Sequence, residues 1–462
     1  MTHQHFTQAV HGHRAIVIGG SIAGLCAARA VSDFFEEVII IERDPLNNGG
    51  ITRKSVPQAQ HTHYLLSGGA NALASLYGKA LPDLSTLGGI PISSGNQTLF
   101  YNGQQTSYLP NCVIPEPREF DFNGYSQSRS LVETALRNAT ENQSNISLLR
   151  GITVTGLLWQ HGYVKGICYK GHSQEESLAA DLIIDCSGRG SHILSWLSQA
   201  GFHKPPETMI DVDLVYCSAR YEANQDTSPI NIHVARDATL TNSRVGMVSL
   251  IEEKQWFVTL IGQFGNYPPK NEDGFLAFAR TLPSMKVYEL ISRSQRTSDI
   301  HRFHFPRSTR RHYEALSQFP ERLIMLGDTL NVINPIYGQG MTTAILQAQK
   351  LKETLTRRQQ SGQGLTGLAP DLFRTYAKLM DAPWQLAAVQ DMLNTKTRME
   401  RSETLLTFAQ HMMAINALAV ERADIHKTLL EVFHMRKPLS ALYTDTIMEH
   451  IKTIPHPHPA PA

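Results

Sequence analysis

The sequence predicts an α/β protein that combines a Rossmann-like βαβ domain, an interleaved antiparallel β domain and a helical C-terminal segment. An apolar run at residues 15–18 passes through a glycine turn into a helical pattern at 21–34, and a second apolar run follows at 37–42. Residues 211–262 contain β-type runs separated by turn residues, while another apolar run at 323–326 resembles the opening strands. The remainder of the chain is mostly helical in pattern.

The middle and the end of the chain carry the clearest periodicities. Four β-type runs, at 211–221, 230–235, 244–251 and 255–262, predict an antiparallel sheet. Apolar residues then recur at helical spacing at Leu405, Phe408, Met412, Ile415 and Leu418. We expect this stripe to pack in a core.

The length of 462 residues exceeds that of one typical domain, and the late return of a buried strand predicts two intertwined domains. Polar composition predicts disorder at both ends, in a leader that holds His3, His5, His11 and His13 and in the tail HPHPAPA. The predicted segments are a leader at 1–13, a cofactor domain at 14–200 with a possible insertion near 75–120, a β-rich substrate domain at 201–320, a return to the first domain at 321–360, a helical region at 361–454 and a tail at 455–462.

Composition excludes several classes of partner. Forty-two Lys and Arg against 41 Asp and Glu give a net charge of +1. The sequence has no basic stripe interleaved with aromatic residues, so we do not expect it to bind nucleic acid. The five cysteines are odd in number and form no CxxC pair, so we predict neither a disulfide framework nor a metal site, and we expect a cytoplasmic protein. No run reaches the roughly 18 apolar residues that a membrane span needs. The oligomeric state cannot be predicted from these features.

The first motif with chemical meaning is the turn Gly19-Gly20-Ser21-Ile22-Ala23-Gly24, which joins a strand to a helix. A pyrophosphate fits the exposed amides at such a helix start, where the helix dipole is positive. Glu42 ends the next strand, and its carboxylate suits the hydroxyls of an adenosine ribose but not a 2′-phosphate. Ser21 replaces the usual middle glycine, so this motif alone is a weak signal.

The second motif combines Gly327-Asp328, at the end of a buried strand, with Asn334-Pro335-Ile336-Tyr337-Gly338-Gln339-Gly340-Met341 at a helix start. Asp328 is placed to accept hydrogen bonds from ribityl hydroxyls. The glycines allow backbone amides to approach the N1/C2=O edge of an isoalloxazine ring, where they would stabilise a reduced flavin.

The third motif is the strand and turn 181–191, which contains Asp185, Ser187 and Gly188. In this order the three motifs resemble the FAD-dependent monooxygenases of the aromatic-hydroxylase-like superfamily, which is related to geranylgeranyl reductases and flavin halogenases. Within it the chain looks most like bacterial polyether-epoxidase-type enzymes. The residues that carry this closer likeness are Arg53-Lys54-Ser55-Val56-Pro57-Gln58 with His61 and His63, Ser128-Arg129, Asn334-Pro335 and Gly338 to Met341.

The resemblance implies a set of FAD-binding residues and a reductant, NADPH or NADH. The implied FAD-binding residues are Gly19, Gly20, Ser21, Ala23, Gly24, Glu42, Arg43, Arg53, Arg129, Val154, Asp328, Gly338, Gly340 and Met341. Within that set, Arg129 is expected at the flavin phosphate or ribityl region. Two departures matter. Ser187 stands where aromatic hydroxylases have an acidic residue, and the Trp-x-Trp-x-Ile-Pro element of tryptophan-type halogenases is missing.

The implied chemistry is hydroxylation or epoxidation of an apolar small molecule with O2 and NAD(P)H. His61 and His63 are the candidate catalytic residues, because by this resemblance their segment passes beside the flavin, where either could donate to the flavin or to a peroxide oxygen. A purely structural role for both histidines is an equal alternative. The alternative functions are a reductase of the geranylgeranyl-reductase type, a redox-neutral cyclase, a flavin halogenase and a non-catalytic FAD-binding protein.

Overall fold

The computed structural model describes residues 11–45, 56–93, 97–102, 105–107, 118–120, 123–171, 174–223, 231–236 and 244–452. Most of the predicted leader, the predicted tail and Arg53 lie outside these described residues. The first strand, Gly12–Ile18, begins inside the predicted leader of 1–13. The buried His11 explains this difference, since its Nε2 donates to the Leu355 carbonyl at 3.2 Å and anchors the start of the strand.

The described residues form nineteen strands and eleven α-helices. The strands are β1 Gly12–Ile18, β2 Phe35–Glu42, β3 His63–Leu65, β4 Ile90–Ser93, β5 Thr98–Asn102, β6 Gln105–Ser107, β7 Asn123–Gln127, β8 Ile146–Arg150, β9 Thr153–Gln160, β10 Tyr163–Lys170, β11 Glu175–Ala179, β12 Leu182–Asp185, β13 Glu207–Glu222, β14 Ile232–Arg236, β15 Val245–Ile251, β16 Gln255–Gln263, β17 His301–Arg311, β18 Leu323–Met325 and β19 Asn331–Val332. The α-helices are α1 Ile22–Val31, α2 Ser67–Tyr77, α3 Arg129–Glu141, α4 Ile193–Gln199, α5 Glu272–Arg280, α6 Lys286–Ser292, α7 Gly340–Gln360, α8 Leu368–Asp391, α9 Glu403–Glu421, α10 Ala423–Phe433 and α11 Asp445–Ile451.

The chain divides into two compact units, each made of three separate segments. Unit 1 comprises residues 1–89, 127–209 and 308–380, and unit 2 comprises 90–126, 210–307 and 381–462. The predicted helical region at 361–454 is therefore shared, because the first part of α8 belongs to unit 1. The predicted α/β fold class, with a parallel sheet, an antiparallel sheet and C-terminal helices, is confirmed.

The core of unit 1 is a five-stranded sheet in the order β18-β12-β1-β2-β8. Each neighbouring pair is parallel, with Ile16 opposite both Ile183 and Ile39. Parallel strands are covered by helices on both faces, which explains why these strands are continuous apolar runs without alternation. All four strands β1, β2, β12 and β18 therefore end at one edge of the sheet.

The main sheet of unit 2 is mostly antiparallel, as the β-type runs predict, although β14 pairs in parallel with β5. The order of its strands is β17-β13-β16-β15-β14-β5-β6, and β13 pairs with β16 from Leu214↔Gln263 to Glu222↔Gln255. Helices α5 and α6 cover one face, where Phe275 and Val287 pack with Cys217 and Leu260. Because side chains alternate along a strand, the other set of side chains on each strand faces away from these helices.

The C-terminal helices of unit 2 form their own apolar cluster. Phe408, Met412, Ile415 and Leu418 of α9 are buried there, with Leu405 packed against them. The predicted core stripe is therefore confirmed. Among the described residues, no helix has the length and hydropathy of a membrane span.

Two buried histidines, His426 in α10 and His434 directly after it, predict that acid destabilises the fold. Burial, assisted by the Arg118 charge, lowers the pKa of His426 to about 4, and burial with the Arg436 charge lowers that of His434 to about 3. Unfolding restores an ordinary pKa near 6.5, so the unfolded state binds more protons below that pH. The two histidines therefore make their full contribution to the free energy of unfolding above about pH 6.5. That contribution falls as the pH drops toward 4, by about 2 kcal/mol per histidine at pH 5.

We expect the melting temperature to fall between pH 7 and pH 5, and His434→Gln to reduce that fall whatever its effect at pH 7. His161→Asn is the matched control, since His161 is exposed in a turn at φ +50°, which Asn tolerates. An identical pH dependence of melting in wild type and His434→Gln would contradict this explanation.

Candidate cofactor site

The candidate site lies at the carboxyl edge of the parallel sheet of unit 1. Because the strands run in the same direction, the residues that follow them meet there, which is where open α/β sheets bind ligands. Gly19 follows β1, Glu42 ends β2, Asp185 ends β12 and Gly327 follows β18. The three sequence motifs are thus brought to one edge.

The turn after β1 can be made only with glycine. Gly19 has φ +102°, and a Cβ atom there would lie 2.7 Å from the Cys186 carbonyl oxygen. A Cβ atom on Gly24 would lie 1.7 Å from the Gly19 carbonyl oxygen. The two glycines therefore allow the first turn of α1 to pack directly on the turn that precedes it.

The start of α1 leaves backbone donors unsatisfied. The Ser21 side chain does not cap the helix, and the first backbone bond runs from the Leu25 amide to the Ser21 carbonyl at 2.9 Å. The amides of Ile22, Ala23 and Gly24 have no intrahelical partner, as in any helix first turn. Such amides, at the positive end of the helix dipole, favour an anion.

Glu42 is a buried carboxylate that joins β2 to this turn. Its Oε2 accepts from the Gly20 amide at 2.9 Å and its Oε1 from the Asp44 amide at 2.8 Å. Its own carbonyl accepts from the Ile152 amide at 3.0 Å, which brings the strand that contains Val154 beside it. A carboxylate oxygen can accept more than one hydrogen bond, so a hydroxyl donor suits this group.

A charged cluster on α3 lies against the start of α1. Arg129 Nη2 donates to Ser21 Oγ at 3.0 Å, and Ser21 Oγ donates to Glu133 Oε2 at 3.0 Å. Glu133 also pairs with Arg137 at 2.7 Å and is 5% exposed. Two arginines and one carboxylate leave a net positive charge here. Sequence reasoning missed Glu133, although its i,i+4 spacing to both arginines on one helix is a readable signal.

Asp328 offers a carboxylate with no hydrogen-bond partner in the described part of unit 1. It is half-buried, on the short 3₁₀ turn Gly327–Thr329 after β18. Burial raises the pKa of its carboxyl, and the charges of Arg189, Arg129 and Arg311 oppose that rise. A Cβ atom on Gly188 would lie 3.8 Å from the Asp328 Cβ, so the second and third motifs adjoin.

The start of α7 resembles that of α1. Gln339 provides no side-chain cap, and the first backbone bond joins the Thr343 amide to the Gln339 carbonyl at 2.9 Å. Gly338 has φ +68°, and a Cβ atom on either Gly338 or Gly340 would meet no described atom within 4 Å. The Cβ positions of both glycines therefore border open space beside the first turn of α7, which a planar ring could occupy.

Several buried polar atoms of unit 1 lack partners among the described residues. They include Gln58 Oε1, both amide atoms of Gln127 and Thr342 Oγ1. Buried polar groups are normally hydrogen-bonded, so these atoms indicate a bound ligand or water. Each residue lies in or beside a segment that resembles the monooxygenases. Sequence reasoning did not single out Gln127 or Thr342, because only the fold shows that they are buried.

His61 and His63 lie close together before and within β3. The His63 Nδ1 bonds the His61 carbonyl at 2.8 Å, and since a carbonyl only accepts, Nδ1 carries the proton. Burial, with the Arg129 charge, lowers the pKa of His63 to about 3, so the ring is neutral. Its Nε2 is then a hydrogen-bond acceptor. The expectation that His63 donates to an oxygen does not suit this tautomer.

The remaining predicted residues occupy the same edge or its surroundings. Arg43 follows Glu42, and its Nη1 would lie 3.9 Å from a Cβ atom on Gly190. Val154 is buried on β9, and Met341 is buried in the first turn of α7. Ser187 donates to Asp185 Oδ1 at 2.5 Å from its hydroxyl, which is a structural role. Arg53 is not among the described residues.

Comparison with known proteins gives a family match and several relatives. The model of the FAD dependent oxidoreductase family matches residues 15–205. Protein Rv3254 of Mycobacterium tuberculosis (strain ATCC 25618 / H37Rv) is 31% identical over 386 residues, which cover 82% of this chain and 80% of that protein.

Solved structures share the fold at low identity. The flavin-dependent brominase Bmp2 superposes with a TM-score of 0.64 at 14% identity and covers 96% of this chain and 99% of its own. The p-nitrophenol 4-monooxygenase PnpA of Pseudomonas putida DLL-E4 gives a TM-score of 0.64 at 14% identity, covering 93% of this chain and 99% of its own. At such identities the likeness concerns the fold alone.

Proposed function

We propose that this chain, which belongs to the FAD-dependent oxidoreductases, is a monooxygenase. It would insert one atom of O2 into an apolar small molecule by hydroxylation or epoxidation, with NADPH or NADH as the reductant. The closer likeness to polyether epoxidases favours an alkene as substrate.

The observation that carries the proposal is the uncapped start of α7 beside the open space at Gly338 and Gly340. Backbone amides and the positive helix end stabilise negative charge that develops next to them. A flavin edge placed there would be held in its electron-rich state, which reaction with O2 requires. The fold shared with p-nitrophenol 4-monooxygenase PnpA supports this reading.

The residues fit FAD, and each would hold a particular part of it. The first amides of α1, with Arg129, would bind the pyrophosphate, and Glu42 would accept from the adenosine ribose. Asp328 would accept from the ribityl hydroxyls, because its carboxylate has no other hydrogen bond among the described residues. Bound FAD would supply hydride acceptance from NAD(P)H and the activation of O2.

His63 would orient a donor rather than give a proton. Its Nδ1–H is held by the His61 carbonyl, and its lowered pKa keeps Nε2 unprotonated across the ordinary pH range. His61 is 6% exposed and fixes this tautomer through its carbonyl. Nε2 of His63 would therefore accept a hydrogen bond from the cofactor or from a hydroxyl of the substrate.

We place the reaction in the cytoplasm, since the four cysteines that the structure describes, Cys26, Cys168, Cys186 and Cys217, are free thiols. A reductase, a redox-neutral cyclase and a halogenase would use the same cofactor site. The brominase Bmp2 shares the fold and makes the halogenase the main rival.

The proposal predicts a yellow protein that contains FAD without a covalent link. Heat should release intact FAD, and NADPH oxidation should be stimulated by an apolar alkene or phenol with equal consumption of O2. The measurement is extraction of the flavin followed by parallel recording of NADPH and O2. Recovery of FMN, or colourless protein that FAD does not reconstitute, would overturn the assignment of the site.

A further inference from the structure

Unit 2 contains an open cleft of about 520 Å³. Its lining residues are Val215, Tyr267, Lys270, Arg302 and His304. This volume lies within the range of small-molecule sites. Val215 and Tyr267 supply apolar surface, whereas the other three side chains are basic.

The cleft has an excess of positive charge. A carboxylate beside the cleft, Asp213, already accepts from Tyr267 Oη at 2.7 Å and from His304 Nε2 at 2.9 Å. Burial would raise the pKa of Asp213, but these two hydrogen bonds and the charges of His304 and Arg398 lower it. Lys270 and Arg302 have no ion-pair partner within the described part of the chain.

The two unpaired cations converge on the same part of the sheet. Burial raises the pKa of the Cys217 thiol to about 11, and the charges of Arg302 and Lys270 oppose the rise, so both lie near that thiol. The Cys217 thiol itself donates to the Pro268 carbonyl at 3.2 Å. The Arg302 guanidinium also lies over the Tyr267 ring, 5.8 Å from its centroid.

The backbone around Asp213 is strained in a way that shapes the cleft. Asp213 has φ +41° within β13, and its carbonyl accepts at 3.1 Å from the amide of Phe264, which has φ +50°. Such conformations in residues other than glycine cost free energy and cluster at functional sites. Here they position the carboxylate that holds Tyr267 and His304.

We propose that this cleft binds the 2′-phosphoadenosine end of NADPH, with Lys270 and Arg302 pairing with the phosphate and Tyr267 and Val215 contacting the base. A phosphate monoester carries nearly two negative charges at neutral pH, which matches two unpaired cations. An apolar substrate would bring no such charge. The adjacent start of α5 is already capped, since Asn271 Oδ1 accepts from the Gly274 amide at 2.7 Å, so side chains must hold the anion.

The site rests on the proposed use of NADPH, but its test does not need turnover. Equilibrium dialysis of the FAD-loaded protein would measure binding of 2′,5′-ADP, 5′-ADP and inorganic phosphate. Lys270→Ala and Arg302→Ala should each weaken 2′,5′-ADP binding about tenfold, without change in melting temperature or flavin content. Arg293→Ala is the control, because Arg293 is an exposed cation of the same unit outside the cleft.

Steady-state kinetics supply the second readout. The KM for NADPH should rise about tenfold in both cleft variants, while the KM for NADH and the kcat stay near their wild-type values. Unchanged 2′,5′-ADP binding in both variants would overturn the site, as would equal binding of 5′-ADP or of inorganic phosphate alone. If no oxygenation occurred with either nucleotide while 2′,5′-ADP binding depended on both cations, the proposed function would fail and the site would stand.

Discussion

Gly24→Ala should abolish useful FAD binding, with a loss of affinity of about a hundredfold or more. A Cβ atom there would lie 1.7 Å from the Gly19 carbonyl oxygen, so the start of α1 must move away from the turn. That movement takes the pyrophosphate amides out of position, and overpacking of this kind costs about 1–3 kcal/mol of stability. We expect both the flavin content and the melting temperature to fall.

Two other glycines separate the effects of clash and of cofactor contact. A Cβ atom on Gly364 meets nothing within 4 Å, so Gly364→Ala should leave both readouts unchanged. Gly340→Ala meets no described atom either, yet its methyl group enters the space assigned to the flavin edge. This substitution should leave the melting temperature of the apoprotein unchanged while weakening the binding of FAD. Normal FAD affinity in Gly24→Ala would show that the turn does not hold the pyrophosphate.

Asp328→Ala should weaken FAD binding about tenfold to a hundredfold while the protein still folds. The substitution removes a charge-assisted acceptor worth about 1.5–3 kcal/mol. Because this carboxylate is half-buried and has no hydrogen bond among the described residues, its loss breaks no protein hydrogen bond there. Asp328→Asn keeps one acceptor oxygen and should retain an intermediate affinity. Fluorescence titration of the apoprotein with FAD measures all three.

Asp83→Ala provides the opposite control within unit 1. The Asp83 carboxylate accepts from the Ser85 amide at 2.8 Å and caps the turn Leu84–Leu87. Its removal should lower the melting temperature, by about 1 kcal/mol of stability, without affecting FAD. If Asp328→Ala behaved like Asp83→Ala, with lost stability and unchanged FAD affinity, Asp328 would be structural.

The sequence alone was sufficient to predict the turns that the structure brings to the carboxyl edge of the parallel sheet. The sequence predicts three of these positions, Gly19, Gly24 and Gly338, because only glycine permits the close approach or the positive φ that these turns need. The position of Asp328 can also be predicted, because a carboxylate directly after an apolar strand falls at the carboxyl edge of a parallel sheet. The fold class followed from the same apolar runs.

Other features depended on three-dimensional contacts. Gln127 and Thr342 have no distinguishing sequence pattern, and their importance rests on burial without partners. The tautomer of His63 follows from one bond to a carbonyl. Strand β17, with the sequence HRFHFPRSTRR, was not predicted, because its charged residues obscure the alternation of a strand. The cleft at Lys270 and Arg302 combines residues from separate elements.

The central claim is that this flavoprotein transfers an oxygen atom from O2 to an organic substrate. Turnover of the FAD-loaded protein with NADPH under isotopically labelled O2, with and without chloride and bromide, tests it most directly. We predict one labelled oxygen atom in the organic product, in a yield that halide does not change. A chlorinated or brominated product that requires halide, or a product formed without label, would contradict the claim.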